Sequence, residues 1–440
     1  MQMTDSLRKF IHEHADDDVL QLVLKVSHYK DIDLRFAVRQ IAARRQVRDK
    51  LPSWYADDNL IFPSVLAAEQ CSSERTAIYK QRLVDSDDTV LDLTGGLGVD
   101  SYFLSRKARQ VTYVERNAEY CETAAYNMKQ LGAHNVSIRL GDAVDLITGR
   151  ETGLAVGKAD PAAMLSEPLS AADVLYIDPA RRGAGNKRMF AVKDCEPDLT
   201  GIWPLLREKH VKIIVKLSPM LDINQVLSQL SDVAEVHVVS VRNDCKELLV
   251  IAHDCYSSDG KKPCDVSGKS GVKIYCVNFT SSDEEQSFRF CYNEEKTAVA
   301  TYAKDIARYL YEPNASILKA GAYRMISSHY GLKKLHVNSH LYTSETCMSS
   351  FAGRIFEVKN VHKFDNRLCR ELSAQMARAN ISVRNFPLSV DELRKRTRIA
   401  DGGDAYLFAT TLSDGKKVLI DCRKVNAITE RHKIAGVCII

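Results

Sequence analysis

The 440-residue chain has no apolar run of about 18 residues, so no segment is expected to cross a bilayer as a helix. Its first stretch, MQMTDSLRKFIHEHADDD, lacks a basic start followed by an apolar core, and no secretory leader is expected there. Cys-x-x-Cys spacing is absent. The 12 cysteines are scattered, several inside apolar runs (Cys276, Cys291, Cys438), which excludes a disulfide framework and points to reduced thiols and a cytoplasmic location. Nor do the 12 histidines cluster with cysteine at ligand spacing, so no metal site is expected. No internal repeat is visible, and nothing marks an obligate protein partner.

Net charge is also small, at +4, but it is unevenly spread. From Arg354 to Lys424, 15 Lys and Arg stand against 9 Asp and Glu, a net +6 that leaves −2 for the remainder. A basic module on a near-neutral chain suits a nucleic-acid grip, with Arg394, Lys395, Arg396 and Arg398 its densest cluster. A solvated basic face is the plainer alternative. Hydrophobic content of 45% and charged content of 27% are those of a globular protein, and the length calls for about two to four domains.

What the chain does have is the stretch Thr89 to Glu115, TVLDLTGGLGVDSYFLSRKARQVTYVE. A β-branched run breaks into Thr94-Gly95-Gly96-Leu97-Gly98, passes through a helix-compatible segment, and ends in a second apolar run closed by Glu115. That is a βαβ unit whose first turn leaves backbone N–H groups free at a helix start. Glycines there let the chain approach a ligand, and Glu115 can accept both hydroxyls of a ribose. The dinucleotide fingerprint wants a third glycine where this chain has Ser101, which argues against a dehydrogenase.

Residues 1–84 read as a helical domain, with Leu20, Leu22, Val23, Leu24 and Val26 in one apolar segment. Pro52 is expected to end a helix, and Ser73 to cap one over Glu74–Leu83. Residues 85–255 alternate strands and helices. The strands are Thr89–Leu93, Val111–Glu115, Val136–Leu140, Val174–Ile177, Lys212–Leu217, Val233–Ser240 and Glu247–His253; the last two are too close for a crossover helix and form a hairpin. After a Ser/Gly/Lys-rich linker at 257–271, a small α+β (ferredoxin-like) domain is expected over 272–345. It has strands at 272–279 and 287–292, helices at Thr297–Tyr309 and Ser316–Tyr330, and a short strand at Lys334–Asn338. A last α+β domain covers 350–440, with strands near 355–358, 381–383, 405–411 and 417–423, a helix over 366–379 and a basic helix over Val390–Arg398.

The run Asp92-Leu93-Thr94-Gly95-Gly96-Leu97-Gly98 resembles motif I of class I S-adenosylmethionine (SAM) methyltransferases, and seven strands ending in a hairpin match their sheet. Asp178-Pro179-Ala180-Arg181-Arg182-Gly183 resembles motif IV of enzymes that methylate nitrogens. With Val215-Lys216-Leu217-Ser218-Pro219 and Val361-His362-Lys363-Phe364-Asp365-Asn366-Arg367, the pattern resembles a bacterial methyltransferase family with a THUMP-like C-terminal domain. The resemblance implies an α/β chain with a Rossmann-like seven-stranded methyltransferase domain, an N-terminal helical domain and C-terminal α+β domains. It implies SAM as cofactor, held by Asp92, Gly95, Gly96, Gly98 and Glu115, with Asp142 pairing with the adenine amine. It also implies RNA as substrate, since THUMP domains bind RNA, and the THUMP-like domain would then be 350–440.

In motif IV, Asp178 and the Pro179 carbonyl would accept from a target amine and orient its lone pair, which is catalysis by positioning. Here Ala180 replaces the second proline and Arg181 the stacking aromatic. Arginine can stack on a base or grip phosphate, so RNA survives as substrate while nitrogen selectivity is left open. Carbon-5 pyrimidine enzymes carry a similar segment but need a cysteine after the fifth strand, where this chain reads Lys216-Leu217-Ser218-Pro219. Direct transfer to a nitrogen or oxygen of rRNA or tRNA is therefore expected, with Lys216 or Ser218 lining the pocket. A protein or small-molecule substrate, and a non-catalytic RNA-binding role, remain the alternatives.

Overall fold

The computed structural model describes residues 3–24, 29, 32–149, 154–155, 172–181, 191–208, 211–253 and 271–425. The linker expected at 257–271 falls almost wholly outside them. The chain divides into two compact units, Met1–Glu235 with Lys246–Ser267, and Val236–Cys245 with Gly268–Ile440. Among the described residues no helix is long and apolar enough to cross a membrane.

The first unit begins with helices α1 (Asp5–Glu13), α2 (Val19–Leu24), α3 (Leu34–Val47), α4 (Pro52–Ala56), α5 (Val65–Gln70) and α6 (Glu74–Lys80). Their starts follow from side-chain caps: Asp33 accepts from Phe36 N at 3.0 Å, Ser64 from Ala67 N at 3.0 Å and Ser73 from Thr76 N at 3.3 Å. Pro52 opens α4 rather than merely ending the helix before it, because a first-turn residue needs no N–H. The apolar α2 segment buries Leu22 alone, while Leu20 and Leu24 are 74% and 76% exposed.

Then come β1 (Thr89–Asp92), α7 (Val99–Ser105), β2 (Gln110–Glu115), α8 (Ala118–Gln130), β3 (Val136–Leu140), α9 (Ala143–Thr148), β4 (Leu154–Ala155), β5 (Val174–Ile177), β6 (Ala180–Arg181) and β7 (Cys195–Glu196). After α10 (Leu199–Arg207), β8 (Lys212–Leu217) and α11 (Ile223–Gln229), the hairpin of β9 (Val233–Val241) and β10 (Asp244–Ala252) completes the succession, and the two units divide inside it.

The strand order β4-β3-β2-β1-β5-β8-β10 puts β1 between two parallel neighbours, β2 and β5, from which the chain winds outward in opposite directions. β10 runs antiparallel to β8. The reversal between β1 and β5 opens a crevice at their carboxyl ends, where open α/β sheets hold ligands. The N-terminal helices share a core with this region: Val47, Trp54, Phe62 and Ala67 cluster with Leu97, Val99 and Phe103. Asn127 of α8 adds two hydrogen bonds to the Ile61 backbone, at 2.9 and 2.7 Å.

The second unit contains β11 (Lys273–Phe279), β12 (Glu285–Cys291), α12 (Glu294–Thr297), β13 (Tyr309–Pro313), α13 (Ala315–Ala320), α14 (Tyr323–Tyr330), β14 (Lys333–Lys334) and β15 (Tyr342–Ser344). It continues with β16 (Gly353–Lys363), α15 (Asn366–Gln375), β17 (Asn380–Arg384), α16 (Val390–Thr397), β18 (Ala405–Thr411) and β19 (Lys417–Lys424), in a sheet ordered β14-β15-β13-β16-β19-β18-β17.

Three expectations change here. The helix expected over Thr297–Tyr309 is confined to α12. Beyond it Ala303 N donates to Lys334 O at 2.9 Å and Lys334 N to Thr301 O at 2.7 Å, so these groups are satisfied by a distant segment of the chain rather than along a helix. The strand expected over Lys334–Asn338 stops at Lys334 and turns back, with Leu335 N donating to Leu341 O. The helix expected over Ser316–Tyr330 is split at Gly321, whose φ of +75° ends α13.

At Gly353 a Cβ would lie 2.2 Å from the Glu312 carbonyl and 2.9 Å from Pro313 Cα, both backbone atoms of the adjacent strand. Gly353→Ala is expected to destabilise this sheet by at least about 1–3 kcal/mol. Hydrogen exchange of the β13 amides checks it; unchanged protection would show that the strands can separate there at no cost.

Candidate functional site

The glycine turn is built from beneath. Tyr113 on β2 donates its hydroxyl to Gly96 O at 2.7 Å, and its ring occupies the space where a Gly95 Cβ would fall, 2.2 Å away. A Cβ on Gly98, at φ +86°, would come within 2.9 Å of the Met128 terminal methyl. Gly95 and Gly98 are therefore fixed by packing inside the protein. Gly96 differs: its φ is +55°, and a Cβ there would meet nothing nearer than Thr94 O at 3.8 Å. Its face is open. Gly96 N donates to Glu115 Oε2 at 3.0 Å, and Glu115 Oε1 accepts from Asn117 N at 2.9 Å, so the acid stands against the turn.

Asp92 lies under the same turn. It accepts from Thr94 N at 3.0 Å and from Ser101 Oγ at 2.5 Å, which gives Ser101 a structural task where a dinucleotide fold has glycine. Burial pushes the Asp92 carboxyl up to about 7, against the pull of those two hydrogen bonds. Asp142 caps α9, accepting from Val144 N at 2.8 Å. It is half-buried, as Glu115 is.

Asp178 follows β5, and its N–H donates to Thr94 Oγ1 at 2.6 Å, tying the two strand ends together. Its Oδ2 is in a short contact with Lys216 Nζ on β8. Lys216 joins Asp178 to a buried network. Its Nζ donates to Ser72 Oγ at 3.0 Å and lies 3.8 Å from Asp100 Oδ2. Ser72 and Tyr176 each donate to Asp100 Oδ2 at 2.7 Å. Lys80, with its side chain 1% exposed, donates to Asp100 Oδ1 at 2.9 Å and Ser72 Oγ at 3.0 Å, and pairs with Glu247 Oε2 at 3.1 Å.

Burial would raise the Asp100 carboxyl, but Lys80 and Lys216 outweigh it and hold it well below the usual carboxylate range. Burial would likewise lower Lys216, but Asp178, Asp100 and Glu247 outweigh it and keep the ammonium firmly protonated. At Glu247 burial prevails and raises the carboxyl, in keeping with an Oε1 that has no hydrogen-bond partner. Beside Ser72, burial pushes the Cys71 thiol up as well, so this neighbour is no activated nucleophile.

Of the residues expected from sequence, Asp92, Gly95, Gly96, Gly98, Glu115, Asp142 and Asp178 lie at the carboxyl ends of β1, β2, β3 and β5, on one edge of one sheet. Pro179 is half-buried beside them. Arg181 belongs to β6 and pairs with Cys195 of β7; Arg182 and Gly183 are outside the described residues. Sequence reading missed Lys80, Asp100, Tyr176 and Glu247. One signal was present, since Glu247 opens the otherwise apolar run Leu248–Ala252. In the basic segment, Lys395, Arg396 and Arg398 are exposed. Arg394 is committed elsewhere: it pairs with Asp401 and donates to Ile399 O at 3.2 Å.

A ferredoxin-like domain model matches residues 309–351, and a THUMP domain-like model matches 353–424. The chain is similar, along almost all of both, to a protein of known crystal structure from Porphyromonas gingivalis W83 that is assigned as a methyltransferase. They share 34% identity over 96% of this chain and 98% of that one, with a TM-score of 0.81. It is 29% identical over 126 residues to an uncharacterized protein from Methanocaldococcus jannaschii, covering 28% of this chain and 44% of that protein. It is 34% identical over 101 residues to an uncharacterized RNA methyltransferase from Oceanobacillus iheyensis, covering 23% and 18% respectively. The chain thus spans less than half the length of these two curated relatives.

The raised Asp92 carboxyl has a consequence for stability. Unfolded, the group ionises near 3.8; folded, near 7. Between those values the folded state holds the extra proton, so stability falls as pH rises through this window and levels above it. The full drop is on the order of 4 kcal/mol. Asp92→Asn keeps an acceptor for Thr94 N and should lose this part of the pH dependence, read by urea unfolding at about pH 4 and about pH 8. An equal slope in both proteins would mean that Asp92 is ionised throughout.

Proposed function

We propose that this chain, which belongs to the THUMP-like methyltransferase family of the Porphyromonas gingivalis protein, transfers a methyl group from SAM to RNA, directly onto a nitrogen or oxygen. Family membership rests on a match along almost the whole length of both chains. The observation that carries the rest is the single edge on which the open face of Gly96, the acids Glu115 and Asp142, and Asp178 all lie, at the reversal between β1 and β5.

These residues fit the cofactor. Gly96 leaves room for close approach, Glu115 keeps lone pairs for ribose hydroxyls although each of its oxygens already accepts one backbone N–H, and Asp142 would take the adenine amine. When bound, SAM supplies a methyl group on a positively charged sulfur. Asp178, with the Pro179 carbonyl and Arg181, would then orient the acceptor. RNA enters through the name of the Oceanobacillus relative and through the exposed Lys395, Arg396 and Arg398 on the THUMP-like module. We place this activity in the cytoplasm, where thiols stay reduced: among the described residues Cys71, Cys121, Cys276, Cys291, Cys369 and Cys422 are free.

Gly96→Val fills the open face and Glu115→Ala removes the ribose acceptor. Each is expected to cost about 1–3 kcal/mol of SAM affinity by calorimetry. Unchanged affinity in both would refute the cofactor assignment. Neutralising Lys395, Arg396 and Arg398 together, with Arg394 kept, should weaken RNA binding and flatten its salt dependence by roughly 0.7–0.9 of slope per lost phosphate contact. SAM affinity should not change. If the parent slope persists, the basic face is only solvated, and a protein or small-molecule substrate becomes the better reading.

A further inference from the structure

The buried network reaches the crevice at one pair. Asp178 has 34% of its side chain exposed and Lys216 has 13%, against 1% for Lys80 and 3% for Glu247. An ammonium has three hydrogens to give. Lys216 spends one on Ser72 and one on Asp178, and Asp100 Oδ2 at 3.8 Å is beyond hydrogen-bond reach. One Lys216 hydrogen is thus left without a hydrogen-bond partner among the described residues, next to a carboxylate whose Oδ1 is likewise uncommitted to Lys216.

Such a pair discriminates between acceptors. An exocyclic amine brings two hydrogens and becomes positively charged as its bond to the methyl carbon forms. Beside Lys216 it would meet a rival donor and a second positive charge in a partly desolvated site, where like charges repel strongly. A hydroxyl brings one hydrogen and two lone pairs. It can donate to Asp178, accept from Lys216, and still present a lone pair to an electrophile.

Resting on the methyltransferase reading above, we propose that the acceptor is a hydroxyl oxygen, in RNA the ribose 2′-hydroxyl, and that Lys216 and Asp178 act on it together. Lys216 Nζ holds the oxygen and stabilises the negative charge that grows on it, while the Asp178 carboxylate takes its proton. One oxygen lone pair forms the new bond to the methyl carbon as that carbon's bond to sulfur breaks. The electron pair of the broken bond stays on sulfur, and the proton ends on Asp178, from which solvent removes it. Lys80 and Glu247 do not touch the acceptor. They are positioning residues, which hold Asp100 and Ser72 against Lys216.

The full chain is incubated with methyl-labelled SAM and total RNA from cells that lack it. The RNA is then digested to nucleosides, and mass spectrometry locates the methyl group. A methylated ribose is expected. A methylated base overturns the hydroxyl inference and leaves the RNA methyltransferase reading standing, whereas RNA without label overturns both. Lys216→Met should lower turnover by at least ~100-fold, in line with losing one preorganised donor to a developing oxyanion. Its affinity for S-adenosylhomocysteine should hold, which also reports folding, and Lys216→Arg should recover part of the rate. Parent turnover in Lys216→Met refutes the role. A readout independent of turnover is the Lys216 side-chain nitrogen resonance, expected to shift in Asp178→Asn; no shift would mean that the two groups are not paired.

Discussion

Two ammonium groups and two carboxylates, taken out of water together with the partly exposed Asp178 at their edge, set the terms for the first unit. Isolating any one of these charges would cost several kcal/mol, and removing one partner from such a set typically costs about 3–5 kcal/mol. Lys80 from α6, Asp100 from α7, Asp178 after β5, Lys216 from β8 and Glu247 from β10 must therefore arrive at one point in one register. Ser72 accepts from both lysines and donates to Asp100, which makes the turn before α6 part of the same assembly. The N-terminal helices are in this sense a wall of the crevice as much as a separate module.

The parallel strands were legible because each is a short apolar run bounded by polar or glycine residues, and the start of α6 because Ser73 stood where a cap belongs. The segment after Thr297 misled because its Ala, Ile and Tyr spacing suits a helix, while the fold satisfies its backbone on Lys334 instead. That partner is remote in sequence and leaves no periodic trace. The same holds for the ionic network. Its members come from five elements, and only an acid placed directly before the apolar run Leu248–Ala252 hinted that a charge was to be buried.

The glycine turn shows a different kind of partial legibility. The pattern was readable, but its cause was mixed: Gly96 faces open space, whereas Gly95 and Gly98 answer to Tyr113 and Met128. Charge in the second unit behaves alike. Counting Lys and Arg located the basic module, yet Arg394 is occupied by Asp401, and Arg354 and Arg384 both pair with the buried Glu312. Composition records how many cations there are; only packing says which can meet a partner in solution.

The ring of Tyr113 beneath Gly95 ties the history of one position to that of the other. A side chain at 95 needs the phenol gone, and a smaller residue at 113 leaves a void as well as a Gly96 carbonyl without its donor. Change at either site alone passes through a poorer protein, so the two should be inherited together, and a lineage that departs from one should depart from both. For anyone recombining segments of related chains, a crossover between β1 and β2 is the junction most apt to separate a turn from the support it was selected with.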